Sequence, residues 1–209
     1  MVTIPPILPT ALPWLDLAGL AVFAASGALA AAARGQTFVT LAFFALITGV
    51  GGGTVRDLLI AAPVFWVHSP HAALVCLAVA GVIWVTPERW WRGQALDWFD
   101  AVGLAAYAVF GAAKAMGYGV PPAPAALMGV ITACVGGIIR DVLAGEPSIL
   151  MRPELYVTAA ALSAALYVAL VLLGLSGGPA SAIAALAGFA LRAGAIRWHL
   201  ALPAYRGRR

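Results

Sequence analysis

Two short motifs place glycines and charges inside apolar stretches of this 209-residue sequence. The first runs from Gly51 to Asp57 and joins three consecutive glycines to an Arg-Asp pair. The second runs from Val135 to Asp141, 84 positions later, and joins two glycines to the same pair. Glycine costs a helix about 1 kcal/mol relative to alanine, and an ionisable residue at bilayer depth costs at least about 2.5 kcal/mol. The motifs therefore predict a polar cavity rather than a lipid-facing surface.

Residues of this kind suit the passage of an ion or small solute. Where a membrane helix is broken, one half-helix leaves carbonyl oxygens free to face a cation, and the other offers free N–H groups to an aspartate. We therefore expect the second and fifth helices to be broken at the glycines. Close helix packing through small residues is the alternative. The predicted pore or kink residues are Thr48, Gly51, Gly52, Gly53, Thr132, Gly136 and Gly137.

The charged residues near the glycines have two alternative roles. Each arginine either braces a kink by pairing with an aspartate or projects into the pathway as a gate, and the two roles can coexist. The lysine near the end of the predicted fourth span either extends to the membrane surface or adds a further pore-side charge. The predicted gating or pore-side charges are Arg56, Asp57, Arg140, Asp141 and Lys114.

Catalysis is not indicated by any pattern in the sequence. We recognise no nucleophile–base constellation, no phosphate-binding loop and no cluster with metal-ligand spacing. We therefore expect no enzyme activity, no cofactor and no metal beyond transient monovalent cations.

The composition is that of an integral membrane protein. Hydrophobic residues make up 63% of the chain and charged residues 10%, whereas a soluble domain carries about 25% charged residues. The net charge of +4 comes largely from the C-terminal tail, which indicates topology and contact with membrane lipids rather than a nucleic-acid partner. We predict an all-α protein with seven transmembrane spans at about residues 14–33, 38–62, 71–86, 97–116, 123–144, 154–173 and 180–199.

The sequence contains an internal repeat, in which residues 14–63 align with 98–147 without a gap. Each copy holds three spans, and because three is odd the copies must enter the membrane from opposite sides, as an inverted repeat. Asp16 and Asp100 occupy matching positions near the predicted starts of the first and fourth spans, where a carboxylate can cap a helix. The chain is predicted to be a single transmembrane domain, residues 1–209, with repeat one at 14–86, repeat two at 97–173, a seventh helix at 180–199 and a basic cytoplasmic tail at 200–209.

The positive residues outside the motifs indicate the orientation. If the N-terminus and alternate loops share one side, that side holds only Lys114. The opposite side holds Arg34, Arg89, Arg92, Arg152, Arg206, Arg208 and Arg209. Because positive loops stay in the cytoplasm, the tail is predicted to be cytoplasmic and the N-terminus outside.

The doubled Gly-Gly-x-x-Arg-Asp motif, the proline after each copy at Pro63 and Pro147, and the three-plus-three-plus-one layout resemble the prokaryotic branch of the trimeric intracellular cation channel (TRIC) family. The resemblance covers about residues 15–200. It implies a homotrimer in a bacterial or archaeal inner (plasma) membrane, with a separate pore in each protomer, kinked second and fifth helices, and conduction of potassium and sodium. The second motif departs from a full glycine triplet because Val135 stands where the first has Gly51.

Two functional classes remain open at this point. One is a monovalent cation channel. The other is a secondary transporter of a small solute such as the amino acid glycine, for which inverted repeats and broken helices are equally suitable. A purely structural membrane protein would not need the buried charges.

Overall fold

A computed structural model describes residues 12–68, 70–91, 93–151 and 154–203, with side chains from residue 17 onward. Seven α-helices form this part of the chain, each beginning and ending within three residues of its predicted span. They are α1 (Leu12–Ala32), α2 (Phe38–Leu59), α3 (Pro70–Val85), α4 (Ala95–Gly117), α5 (Pro122–Ala144), α6 (Val157–Leu172) and α7 (Gly177–Trp198). Asp16 and the basic residues at Arg92, Arg152, Arg206, Arg208 and Arg209 lie outside the described side chains.

Local sequence signals fix several helix ends. The Thr37 hydroxyl accepts a hydrogen bond from the Thr40 backbone N–H and caps α2. Pro122 is the first residue of α5, where its missing N–H has no helical partner to lose. The same helix ends at Gly145, whose φ of 65° is the left-handed conformation that glycine adopts without strain.

Four helices, α2, α4, α5 and α7, are long and apolar enough to cross a membrane by length and composition. Helices α3 and α6 are apolar but shorter, with 16 residues each. At 1.5 Å per residue they rise about 24 Å, which is less than the roughly 30 Å of a bilayer core. Helices α1, α2, α4 and α5 form the centre of the domain; α3 packs on α1 and α2, α6 packs on α4 and α5, and α7 packs on α4 and α6.

Helices α2 and α5 are continuous through their glycines, so the predicted breaks are not present. The reason is a close approach of the two backbones. A Cβ atom added to Gly136 would lie 2.5 Å from the Thr48 carbonyl oxygen, and one added to Gly52 would lie still closer to the Thr132 carbonyl oxygen. Glycine here removes the side chain that would hold the helices apart, and the helical hydrogen bonds are kept.

Contacts between the two repeats are reciprocal. Gly52 and Gly136 correspond at the offset of 84 residues, as do Thr48 and Thr132, and each glycine meets the threonine of the other copy. Between α1 and α4, Gly19 packs on the Tyr107 ring and its counterpart Gly103 packs on the Phe23 ring.

Such an exchange of partners is the signature of a two-fold relation, in which residue i contacts j and the counterpart of j contacts the counterpart of i. The Phe23 and Tyr107 rings stack on each other with centroids 5.2 Å apart. The sequence repeat is therefore also a repeat of contacts.

Candidate functional site: two buried ion clusters

Two clusters of charged side chains lie buried beside the crossing of α2 and α5. The first cluster consists of Arg56, Asp57 and Lys114. The second cluster consists of Ser26, Asp100, Arg140 and Asp141. The arginines are 1% and 2% exposed, and Asp57 and Asp100 are fully buried. Buried charges of this kind are stable only with partners of opposite charge.

In the first cluster, Asp57 binds two cations from different helices. Its Oδ1 accepts hydrogen bonds from Arg56 Nε at 2.9 Å and lies 2.8 Å from both Arg56 Nη2 and Lys114 Nζ. Its Oδ2 accepts a hydrogen bond from the Phe65 backbone N–H at 3.1 Å, which fixes the chain after α2. The Arg56 guanidinium carbon lies 5.1 Å from the centre of the Phe110 ring on α4. The cluster thus joins α2 to α4.

In the second cluster, Arg140 binds two carboxylates. Its Nε donates to Asp141 Oδ1 at 2.9 Å, and its Nη1 donates to Asp100 Oδ1 at 2.6 Å and also to the Ser26 hydroxyl. Asp141 Oδ2 accepts a hydrogen bond from the Ile149 backbone N–H at 2.8 Å. The cluster thus joins α5 to α1 and α4.

The two clusters follow the same plan and differ in charge. Arg56 contacts Phe110 and Arg140 contacts Ser26, and these two contact positions are related by the same offset of 84 residues. Each arginine therefore crosses to the first helix of the other repeat. Lys114 breaks the plan because its counterpart is Ala30. Among the described side chains, the first cluster has two cations for one carboxylate and the second has one cation for two.

The structure gives specific places to the predicted pore residues. The Thr132 hydroxyl donates to the Met128 carbonyl at 2.6 Å, while the buried Thr48 Oγ1 has no hydrogen-bond partner among the described residues. Gly51 packs against the Ile139 side chain. The last glycine of each motif, Gly53 or Gly137, faces a side chain carrying an aromatic ring.

The structure places Lys114 in one of the two positions that the sequence left open, and it places Asp100 away from its expected position at a helix start. Lys114 does not serve as a surface anchor, because its ammonium group binds buried Asp57. Asp100 does not cap α4, because the helix begins at Ala95 and the carboxylate lies a full turn further on, against Arg140. In both cases a buried charge of opposite sign offers a stronger partner than the helix end or the interface.

Sequence reasoning missed one further ion pair. Arg192 on α7 is fully buried, and its Nη1 donates to Glu154 Oε2 at 2.7 Å. Its guanidinium carbon lies 5.3 Å from the centre of the Tyr156 ring. The available signal was an ionisable residue inside the predicted seventh span, which by itself marks a candidate functional position.

In both clusters, arginine side chains bind the oxygen atoms that could otherwise coordinate a cation in a polar pathway. Carboxylate and hydroxyl oxygens are the groups that replace the water shell of a small cation. Each of the three buried carboxylates is already bound to an arginine. A cation could use these oxygens only if the guanidinium groups moved away.

Comparisons with known proteins agree on one family. The family model described as "Glycine transporter" matches residues 13–88 and 97–171, one segment for each repeat. The UPF0126 membrane protein of Vibrio cholerae is 38% identical over 197 residues, which cover 91% of this chain and 81% of that protein. The UPF0126 inner membrane protein YadS of Escherichia coli is 37% identical over 196 residues, which cover 92% and 95%.

A solved structure shows the same architecture. The TRIC trimeric intracellular cation channel orthologue from Rhodobacter sphaeroides is 41% identical and superposes with a TM-score of 0.86. The match covers 91% of this chain and all of that one.

Proposed function

Because this chain belongs to the prokaryotic branch of the TRIC family, we propose that it is a monovalent cation channel that conducts potassium and sodium. Each protomer of a homotrimer holds its own pore. The name of the Rhodobacter sphaeroides orthologue, a trimeric cation channel, supports the assembly and the activity. The name of the Escherichia coli relative, an inner membrane protein, supports the location.

The observation that carries the proposal is the pair of buried clusters beside the α2–α5 crossing. Burying ionised groups costs several kcal/mol each before they are paired, and a scaffold made of apolar helices has no need of them. Because the two clusters are related by a local two-fold relation, an Arg-Asp pair lies on each side of the α2–α5 crossing. Such an arrangement suits a single path that passes through the centre of the protomer.

The conformation described here corresponds to the closed channel. Helices α2 and α5 touch at Gly52 and Gly136, which leaves no room for an ion between their backbones. A fixed guanidinium in the path also raises the barrier to a cation by several kcal/mol at a low effective dielectric. Opening therefore requires the two helices to separate and the arginines to turn away from the path.

Because α2 and α5 are continuous, the oxygen atoms that coordinate the ion differ from those expected at a broken helix. Carbonyl groups in the middle of α2 and α5 are used within the helices, so they do not form free half-helix ends. Side-chain oxygens replace them in this account. The buried Thr48 hydroxyl is available, and the carboxylates of Asp57, Asp100 and Asp141 become available when their arginines move.

The repeats are inverted relative to each other in the membrane, and α7 is added after them. The N-terminus lies outside and the C-terminus in the cytoplasm, which follows from the seven-to-one distribution of positive residues. The pathway then has similar charged layers on either side of the midplane, as broken-helix transporters and inverted-repeat proteins have at their central sites.

A secondary transporter of a small solute is the second candidate, and the description of the matching family model favours it. Proteoliposomes separate the two. A channel predicts downhill flux of thallium, used as a potassium substitute, and no accumulation of labelled glycine in exchange for internal glycine. Glycine counterflow without thallium flux would replace the channel proposal with the transporter.

A further inference from the structure

The last glycine of each motif, Gly53 or Gly137, faces an aromatic side chain and the arginine of the same motif. A Cβ atom at Gly53 would lie 2.7 Å from Phe65 Cε1 and 3.5 Å from Arg56 Nη2. A Cβ atom at Gly137 would lie 2.9 Å from the Tyr156 hydroxyl and 3.6 Å from Arg140 Nη2. In both halves, the space left by the glycine is filled by an aromatic side chain that lies beside the guanidinium.

A cation lies over each of these rings. Lys114 Nζ is 6.0 Å from the centre of the Phe65 ring, and the Arg192 guanidinium carbon is 5.3 Å from the centre of the Tyr156 ring. These distances are within the range of cation–π attraction. The lysine comes from α4 and the arginine from α7. The cation over each ring is therefore supplied by helices that do not correspond to each other in the repeat.

The sequence explains why the aromatic ring over Gly137 in the second half comes from a different position in its repeat. The residue that corresponds to Phe65 is Ile149, which has no ring. The ring over Gly137 comes instead from Tyr156, one residue before α6, and the cation comes from Arg192. Helix α7 thus supplies the cation over the ring in the second half, as α4 does in the first half.

The Tyr156 side chain is buried, and its hydroxyl lies next to Asp100. Arg192 is fixed on its outer side by Glu154, and Glu154 in turn forms a backbone bridge with Ala201 after α7. Arg192 is therefore held against the Tyr156 ring by a partner on the far side of its guanidinium group.

We propose that Arg192 is a positioning residue for the second cluster: it presses Tyr156 against Gly137 and Asp100, as Lys114 presses Phe65 against Gly53. Through this contact α7 holds the second cluster in its closed arrangement. The inference rests on the proposed function insofar as the second cluster closes the ion path, but the position of the ring can be measured without any current.

The two cysteines of the chain report on the two halves separately. Cys134 is buried and lies close to Asp100 and Tyr156, whereas buried Cys76 packs beside Gly49 in the first half. The experiment measures the rate at which methyl methanethiosulfonate modifies Cys134 in a Cys76→Ala background, and Cys76 in a Cys134→Ala background. Each is measured in the full-length protein in mild detergent, with and without Arg192→Gln.

We expect Arg192→Gln to speed the modification of Cys134 about tenfold or more, because the cation–π contact that keeps the ring in place is lost. The rate at Cys76 should stay unchanged, and Arg192→Lys should restore most of the protection of Cys134. Tyr156→Leu should produce the same acceleration, and the double variant should add nothing further.

An unchanged rate at Cys134 in folded Arg192→Gln protein would overturn the proposal, and so would an equal acceleration at both cysteines, which indicates general loosening. If Arg192→Gln does not fold, Tyr156→Leu decides alone, and a normal rate at Cys134 in that variant overturns the proposal. Where the protein conducts, Arg192→Gln should raise open probability at constant unit conductance. A parent protein that does not conduct would contradict the proposed function and leave the labelling result standing.

Discussion

At the residue scale, the Arg-Asp pairs are the part of the site that the sequence predicts well. Adjacent residues of opposite charge in an apolar helix must pair with something, and each aspartate does bind the arginine before it. The partners from other helices, Lys114 and Asp100, could not be predicted because they depend on how α4 packs against α2 and α5.

The difference in charge between the clusters predicts different effects of removing each arginine. In Arg56→Ala, Asp57 keeps Lys114 as a partner, so the folded yield should stay close to that of the parent while open probability rises. In Arg140→Ala, two buried carboxylates lose their cation, which costs about 3–5 kcal/mol. The measurement is thermal stability of the purified protein by size-exclusion chromatography after heating, together with single-channel recording. Equal losses of stability in the two variants would contradict this assignment.

At the element scale, the glycine motifs show what a sequence leaves ambiguous. A glycine that breaks a helix and a glycine that admits a neighbouring backbone carry the same letter, and the cost of either is about 1 kcal/mol. The charges that follow favoured a break, but the contact between Gly52 and the Thr132 carbonyl identifies packing. The alignment of Thr48 with Thr132 is visible in the sequence, whereas the contact of each threonine with the glycine of the other copy depends on how the helices pack.

A methyl group is expected to disrupt this crossing. Gly52→Ala and Gly136→Ala each place a Cβ against a backbone carbonyl that cannot turn aside, so α2 and α5 must separate and the protein should lose several degrees of thermal stability. Gly81→Ala is the matched control, because Gly81 lies in α3 with nothing near its missing Cβ. It should be neutral or slightly stabilising. If the three variants melt together, the crossing does not depend on its glycines.

At the scale of the whole molecule, hydrophobic runs and the internal repeat predict the seven helices and their order correctly. The runs report burial and length, which is why the helix boundaries agree within three residues. They do not report which helix supplies a partner to a distant ring. For that reason no sequence pattern predicted a part for α7 in the second cluster, while the structure places Arg192 against Tyr156.

The membrane topology can be tested by chemical labelling, without recording ionic current. Gln36 lies exposed between α1 and α2, and Ser176 lies exposed between α6 and α7. In a cysteine-free background, Gln36→Cys should react with an impermeant thiol reagent only from the cytoplasmic side, and Ser176→Cys only from outside. Reaction of both from one side would contradict the inverted repeat, since five helices, α2 to α6, separate the two positions.

Recording from single molecules in a planar bilayer tests most directly whether the protein passes monovalent cations. The purified full-length protein is reconstituted between two potassium chloride solutions of different concentration. A cation channel should give discrete current steps that reverse close to the potassium equilibrium potential and disappear when a large organic cation replaces potassium. A well-incorporated protein that shows no steps, or steps that reverse at the chloride potential, would contradict it.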